Sequence, residues 1–450
     1  MTPPSHPRTP AMDDDFDDAL ALANGTAGLD AALSPRPGGA SGGGPPGAAP
    51  EGGRPSGGPS RPAAVSWAEA RTAARYAARP GEPVELPLPE ALGHVLAEPL
   101  PALTDLPAFD TSAMDGWAVA GPGPWALEDT GPGVLAGDTP ERLPDGHAVA
   151  IATGARVPEG ATAVLRSEHG FAGGGRLTAP ATPPHGGDIR PRGQECRTGD
   201  LLLPAGAFVT PAVLGLAAAA GYDRLTLTRR PRAAVLVLGD ELLTEGVPAD
   251  GRIRDALGPL VAPWLAELGA DVVATRHLGD SASALRDALT GGDAEVLVTT
   301  GSTAAGPVDH LRPALRELGA MFVVDGVAVR PGHPMLLAAL PDGRHVVGLP
   351  GNPLAAVSAL LTLADPLLRT LADRDPEAGP GPARLAERVQ GHPEDTRLVP
   401  VSHRRGTATP LRFHGPAMLR GIASATALAV IPPGGAGAGA PVHLLGLPRN

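Results

Sequence analysis

The run Leu349-Pro350-Gly351-Asn352-Pro353 follows an apolar stretch, His345 to Gly348, and precedes a helix-like stretch, Leu354 to Leu371. A strand, a tight turn and a helix start make a ligand-loop geometry. Gly351 lets backbone approach a ligand closely, and Pro353 suits a first helical turn, where no N–H is needed. The other N–H groups of such a turn point at an anion. Pro350, Gly351 and Asn352 are therefore candidate binding residues, although an ordinary strand-to-helix turn has the same pattern.

Further candidates fall where other apolar runs end. Ala233–Leu238 runs into Gly239-Asp240-Glu241, and Glu295–Thr299 runs into Thr300-Gly301-Ser302-Thr303, with Asp309 beyond. Val327–Val329 runs into Arg330-Pro331-Gly332-His333-Pro334. If these runs are parallel strands, their carboxyl ends form one rim. Carboxylates there hold Mg²⁺, which favours oxygen ligands and shared phosphate oxygens. Arginine and backbone N–H groups hold phosphate. The competing reading makes Asp240 and Asp309 helix caps, Arg330 a solvated charge and His333 a packing residue. A second cluster precedes these: Ser112-Ala113-Met114-Asp115-Gly116, then Thr153-Gly154-Ala155, then Arg190 to Glu195. Asp115 before a glycine suits a turn that presents a carboxylate.

The elements that must position these residues divide the chain by pattern. Residues 1–62 read as a disordered tail. Pro35 to Pro62 has no hydrophobic residue larger than alanine, so it cannot offset ordering entropy. Ser66 with Glu69 three residues on forms a capping box for a helix to about Ala78. Residues 63–228 otherwise read as short strands in two lobes, with a helix at Pro211–Ala220. Residues 229–372 alternate strands with amphipathic helices (about 255–268, 281–289 and 308–318), which argues for a parallel sheet with helices on both faces. Ligands of such sheets sit beyond the strand carboxyl ends. Residues 373–450 return to short strands, a small β domain.

Composition excludes several classes. The net charge is −12, with no basic run, so nucleic acid is not expected. All 36 basic residues are arginine, so a lysine-dependent site would have to be rebuilt with arginine. The single cysteine, Cys196, fits a reducing compartment. No uninterrupted apolar run reaches about 18 residues and no signal sequence is evident, so a cytoplasmic protein without a membrane span is expected.

From Val65 onward, in order, the chain resembles the MoeA/gephyrin family of molybdopterin molybdenumtransferases. The resemblance rests on Ser112–Gly116, Thr153–Ala155 with Val157-Pro158 and Gly160-Ala161, Arg190–Glu195, Gly239–Leu242 and Leu349–Pro353. It implies a three-layer α/β molybdopterin-binding domain with a parallel-type sheet, N-terminal β-rich lobes and a C-terminal β domain. It implies a homodimer with a shared cleft, and a molybdopterin-adenylylating protein as upstream partner. The implied reaction inserts molybdate into adenylylated molybdopterin with release of AMP, assisted by Mg²⁺. In that scheme Asp115, Asp240 and Asp309 act in catalysis and Asp240, Asp309 and Glu195 hold metal. Thr153, Gly154, Arg192, Asp255, Gly301, Ser302, Thr303, Arg330, His333, Pro350, Gly351 and Asn352 bind substrate.

The chain also departs from the family. Its phosphate loop reads Gly301-Ser302-Thr303-Ala304-Ala305-Gly306, without the second glycine and a serine. Asp255-Ala256-Leu257 keeps only the acid of an Asp-Thr-Asn run, and Gly193-Gln194-Glu195 replaces Gly-Glu-Asp. Arg330 and His333 stand where the family has lysines, and a histidine attracts anions less than lysine at neutral pH. Two alternatives follow: a divergent, non-catalytic molybdopterin-binding or scaffold paralogue, and a nucleotide hydrolase built on the same domain type.

Overall fold

The computed structural model describes residues 64–128, 131–301, 303, 309–375 and 379–448. The expected tail and Ser302 lie outside the described residues. The chain forms two units, one of residues 82–229 and one of the flanking segments up to Gly81 and from Arg230.

In the second unit a six-stranded sheet positions the rim. Its strands are β1 (Arg232–Leu238), β2 (Asp271–Leu278), β3 (Val296–Thr300), β4 (Met321–Asp325), β5 (Leu336–Ala339) and β6 (His345–Leu349). Their spatial order is β2-β1-β3-β6-β5-β4. The first four in that order run parallel, and β5 and β4 add antiparallel pairings. Strands β1, β3 and β6 are buried on both faces, so they read as continuous apolar runs rather than alternating ones.

Helices α1 (Gly258–Glu267) and α4 (Pro353–Leu371) pack on one face with Val235, Val298 and Val347. Helices α2 (Ala282–Thr290) and α3 (Leu311–Glu317) pack on the other with Leu236, Leu297 and Val346. This is the three-layer arrangement that the alternation predicts.

Among the described residues helix α4 is the one helix long and apolar enough to cross a membrane by length and composition; Asp365 and Arg369 interrupt its apolar run, and 83% of its apolar window is buried in the core. Its middle turn, Leu360–Ala364, widens to a π-helix. The cause is Pro366, which has no N–H for the carbonyl four residues back and crowds it.

That turn receives the helix Trp67–Tyr76, whose capping box forms as expected: Glu69 N–H donates to Ser66 Oγ at 3.3 Å and Ser66 N–H to Glu69 Oε2 at 3.0 Å. Trp67 Nε1 donates to Thr362 Oγ1 at 3.1 Å, and Arg71 donates to the Leu361 carbonyl. Ala70 and Ala74 join the core on the α1 and α4 side of the sheet. Residues 64–81 therefore belong with the α/β domain and not, as expected, with the lobes that follow them.

The sequence places Val327–Val329 in the parallel sheet. The strand Val327–Arg330 instead leaves it and pairs with Thr396–Arg404 of the C-terminal domain and with Val65–Ser66. Gly326 makes the departure possible, with φ of +92°. In the C-terminal domain the strands Thr396–Arg404, Thr407–Pro410, Ala383–Leu385, Pro441–Gly446 and Ala427–Ile431 close into a ring.

The 82–229 unit has cores in two places, with separate clusters on the two faces of the first sheet. One lies on a six-stranded sheet that includes Gly116–Val119, His147–Ile151 and Ala163–Arg166. The other joins the sheet of Pro83–Pro87, Arg224–Thr228 and Val95–Leu96 to the helix Pro211–Ala219.

Candidate active site

The order β2-β1-β3 carries the first argument. From β1 the chain moves to one side for β2 and returns past β1 for β3. The crossovers thus diverge between β1 and β3, which opens a crevice at their carboxyl ends. Three turns meet there. Register pairs Val237 with Thr300 and Thr300 with Leu349, so β1, β3 and β6 end level. Gly301 takes φ of +84°, and its N–H donates to the Leu349 carbonyl at 2.9 Å. A methyl group on Gly301 would stand 3.3 Å from the Leu238 carbonyl, and one on Gly351 would stand 3.8 Å from Gly301 Cα. The backbone after β3 is therefore in near contact with the ends of β1 and β6. Thr300 and Thr303 are buried behind these turns.

Asp240 is exposed at the end of β1. Its carboxylate lies over Gly279, beyond β2, where an added methyl would meet Oδ1 at 2.4 Å. Asp309 is half-buried two residues before α3. Among the described residues no three of His, Cys, Asp and Glu gather as a metal cage. Of the expected trio, Asp240 and Asp309 belong to one unit and Glu195 to the 82–229 unit. One or two rim carboxylates would suit Mg²⁺, an ion that commonly keeps most of its shell as water and phosphate oxygens.

The Arg330–Pro334 turn does not end a strand of the parallel sheet, which corrects its expected place on the rim. It still lies beside it. Gly332, with φ of +120°, packs where an added methyl would be 3.3 Å from the Ala355 carbonyl in the first turns of α4. Arg330 Nε donates to Asp395 Oδ2 at 2.9 Å, and His333 Nδ1–H to the Val327 carbonyl at 2.9 Å. The N–H of Leu354 donates to the Pro416 carbonyl at 2.9 Å, so that N–H of the first α4 turn is engaged by protein and not free as expected.

Asp255 is buried and capped. Its Oδ1 accepts the N–H groups of Leu257 and Gly258, both at 2.9 Å, and Oδ2 lies 2.8 Å from His277 Nε2. That is a helix-capping role for a residue expected to bind substrate.

A residue that sequence reasoning passes over organises the rim. Arg312 of α3 is buried, and its guanidinium has three partners. It donates to the Thr303 carbonyl, to the Pro334 carbonyl at 3.1 Å and, through Nε, to Asp325 Oδ1 at 2.6 Å. It thus ties the loop after β3 to the Arg330–Pro334 turn. The available signal is its position among the core-facing Leu311, Ala314 and Leu315.

The remaining candidates form their own cluster in the 82–229 unit. Asp115 Oδ1 accepts Thr153 N–H at 2.7 Å and Thr153 Oγ1 at 2.9 Å, while Gly154 N–H donates to the Ser112 carbonyl at 2.8 Å. The Thr153 backbone N–H, with its hydroxyl, holds the Asp115 carboxyl below the usual range. Arg192 Nε donates to Asp105 Oδ2 at 2.5 Å and Arg192 N–H to Asp110 Oδ1 at 2.7 Å. The Thr198 backbone N–H, then Arg192, depress Asp105 to about 2. Glu195 is exposed. Carboxyls depressed by folding stabilise the native state above their unfolded value, about 3.9, and that contribution is lost as pH falls through the folded value. The melting temperature of the intact chain should therefore fall between pH 4 and pH 2. Asp105→Asn should flatten that fall, and an unchanged slope would count against the linkage.

Family models match in the same order as the structural pieces. The MoeA N-terminal region (domain I and II) matches residues 65–221, a probable molybdopterin binding domain matches 234–370, and the MoeA C-terminal region (domain IV) matches 382–445. The chain is 33% identical over 378 residues to molybdopterin molybdenumtransferase 2 of Mycobacterium tuberculosis, across 78% of this chain and 91% of that protein. It is 32% identical over 320 residues to the molybdopterin molybdenumtransferase of Synechococcus elongatus, across 68% and 79%. In fold it is similar to a crystal structure of the molybdopterin biosynthesis MoeA protein of Pyrococcus horikoshii. The TM-score is 0.70 at 24% identity, over 86% of this chain and 100% of that one. A second structure from that organism gives 0.67 at 19%, over 84% and 98%. With all three regions matched in order and a relative covered over nine-tenths of its length, the chain belongs to the MoeA family of molybdopterin molybdenumtransferases.

Proposed function

We propose that this protein is a molybdopterin molybdenumtransferase that inserts molybdate into adenylylated molybdopterin in molybdenum cofactor biosynthesis. The observation that carries the reading is the near contact of the Gly301 turn with the Leu238 carbonyl and with Gly351 at the β1–β3 switch point. Backbone so exposed can lie against a phosphate without side-chain obstruction. In this reading the phosphoanhydride is cleaved, water supplies the new oxygen and AMP leaves. The dithiolene thiols then replace oxygens of molybdate, which leave as water carrying the thiol protons. Gly301, Ser302, Thr303, Pro350, Gly351 and Asn352 cradle the pterin phosphate, and Arg330 and His333 attract molybdate. Asp240 and Asp309 hold Mg²⁺, whose chemistry there is to neutralise charge on the leaving phosphate. Asp115, held by Thr153 and kept ionised, supplies in this reading a further carboxylate from the partner subunit. A cytoplasmic homodimer supplied by a molybdopterin-adenylylating protein completes the proposal.

The non-catalytic alternative draws on the altered Gly301–Gly306 loop. AMP release separates the two. Purified protein mixed with adenylylated molybdopterin, molybdate and Mg²⁺ should release AMP. Binding of molybdopterin without any AMP release would establish the scaffold reading instead. Asp240→Asn should lower turnover by about 100-fold, the scale of losing one charge-stabilising group, and leave the melting temperature within about 1 °C because the side chain is exposed. Full activity in that variant would remove Asp240 from the site.

A further inference from the structure

A cavity of about 170 Å³ opens beside the edge strand β2, on the α2 face of the six-stranded sheet. Arg232 at the start of β1 and Asp293 before β3 border it, so it sits toward the amino ends of those strands and away from the rim. Two features of the sequence make it. Strand β2 carries a bulge: Val272 pairs with Ala233 and Ala274 with Ala234, which leaves Val273 unpaired on the outermost strand. The side chains that border the gap are also short, with alanine at 234, 274, 288 and 294 and glycine at 291 and 292, just after α2. Domain interiors are densely packed, so a gap of this size is an exception.

The polar groups decide what suits it. The floor is apolar, since Ala234, Leu236, Ala288 and Leu297 are buried core residues. Three lining residues are charged. Arg232 Nη2 donates to Asp293 Oδ2 at 2.6 Å. Arg276 is exposed, and among the described residues no hydrogen bond or ion pair engages its guanidinium. Two guanidiniums against one carboxylate leave one positive charge unmatched, which disfavours a cation. An inorganic oxyanion meets Arg276 but gives up hydration against an apolar floor. A neutral apolar molecule covers the floor but leaves the guanidinium to water. An anion with a compact apolar body satisfies both, and the guanidinium fork matches the two oxygens of a carboxylate.

We propose that this cavity binds a small organic carboxylate, with its apolar body against Leu236, Ala274, Ala288 and Leu297 and its carboxylate paired to Arg276. The volume equals that of on the order of six water molecules. That is room for a single ring or a short branched chain, and too little to enclose a nucleotide or molybdopterin. The site therefore takes a different class of molecule from the rim. Val273, 42% exposed on the bulge, supplies an apolar lip.

Calorimetric titration of benzoate into the intact protein tests the site. Benzoate should bind the wild type, and an equal concentration of inorganic phosphate should not displace it. Arg276→Gln should weaken binding about tenfold or more. Arg276 is exposed, so this variant should melt like the wild type and separates site loss from misfolding. Ala274→Leu fills the cavity and leaves every charge in place, and it should abolish binding. If Ala274→Leu binds as the wild type does, or if phosphate displaces benzoate, Arg276 is a surface ion site and the proposal fails. Wild-type affinity in Arg276→Gln, or no binding by the wild type, overturns it as well. These measurements read binding away from the rim, so they and the AMP-release assay can fail separately.

Discussion

Arg312→Met is expected to cost about 3–5 kcal/mol, because it removes one partner of a buried ion pair and leaves the others without compensation. For a unit of this size that is a fall in melting temperature on the order of 10 °C. Methionine fills much of the arginine volume, so the loss reports charge and hydrogen bonds more than packing. Asp325 would keep a carboxylate only 16% exposed, and the carbonyls of Thr303 and Pro334 would lose their donor. The double variant Arg312→Met with Asp325→Leu should recover part of the stability, since no charge is then stranded. Because the same guanidinium joins two loops at the rim, affinity for molybdopterin should fall as well. A shift under about 2 °C, with affinity intact, would show that Arg312 is not the clamp its contacts describe.

Gly116→Ala is expected to be nearly as damaging, and for a steric reason. A methyl group there would stand 2.0 Å from the Leu165 carbonyl and 2.9 Å from the Ser167 nitrogen, both backbone atoms in or beside the neighbouring strand. No rotamer change relieves such a contact, so the strand pair Gly116–Arg166 must separate. Overpacking of this kind costs about 3 kcal/mol, or roughly 6–12 °C in melting temperature. Asp115 precedes this glycine, so the position of its carboxylate against Thr153 should be lost too. Thermal melts of the intact chain decide the matter. A wild-type melting curve would mean that the strands tolerate the methyl group.

The two residues differ in how far sequence reveals them. Gly116 stands in a motif whose turn-forming pair, Asp115-Gly116, is local, and local chemistry is readable from one chain. The same holds for Ser66 and Glu69, whose capping box needs only three residues of spacing. It holds for β1, β3 and β6, where unbroken apolar runs announce strands buried on both sides. Arg312 is different. On a helix a lone arginine reads as a solvated charge, and its burial follows from Thr303 and Pro334 in separate loops converging with Asp325 at the end of β4.

Val327–Val329 fails as a parallel-sheet strand for a related reason. Three residues of β pattern say nothing of which sheet receives them, and the partner, Thr396, lies far along the chain. Asp255 shows the limit for sites. Its type and spacing suit either a ligand or a cap, and only the positions of Leu257, Gly258 and His277 show the cap.

The docking of the Trp67–Tyr76 helix on the widened turn of α4 also sets a timetable. Its contact with Thr362 spans 295 residues of sequence. At about 5–20 residues per second on a ribosome, the helix emerges roughly 15–60 s before its partner exists. During that interval Trp67, Ala70 and Ala74 have no core to enter, while the whole 82–229 unit is synthesised and free to fold. That unit's ends meet at Glu82 and Arg229, whose backbones are joined by a 3.3 Å hydrogen bond. The later unit is therefore completed around an insertion already in place, with its first helix the last part to find its seat.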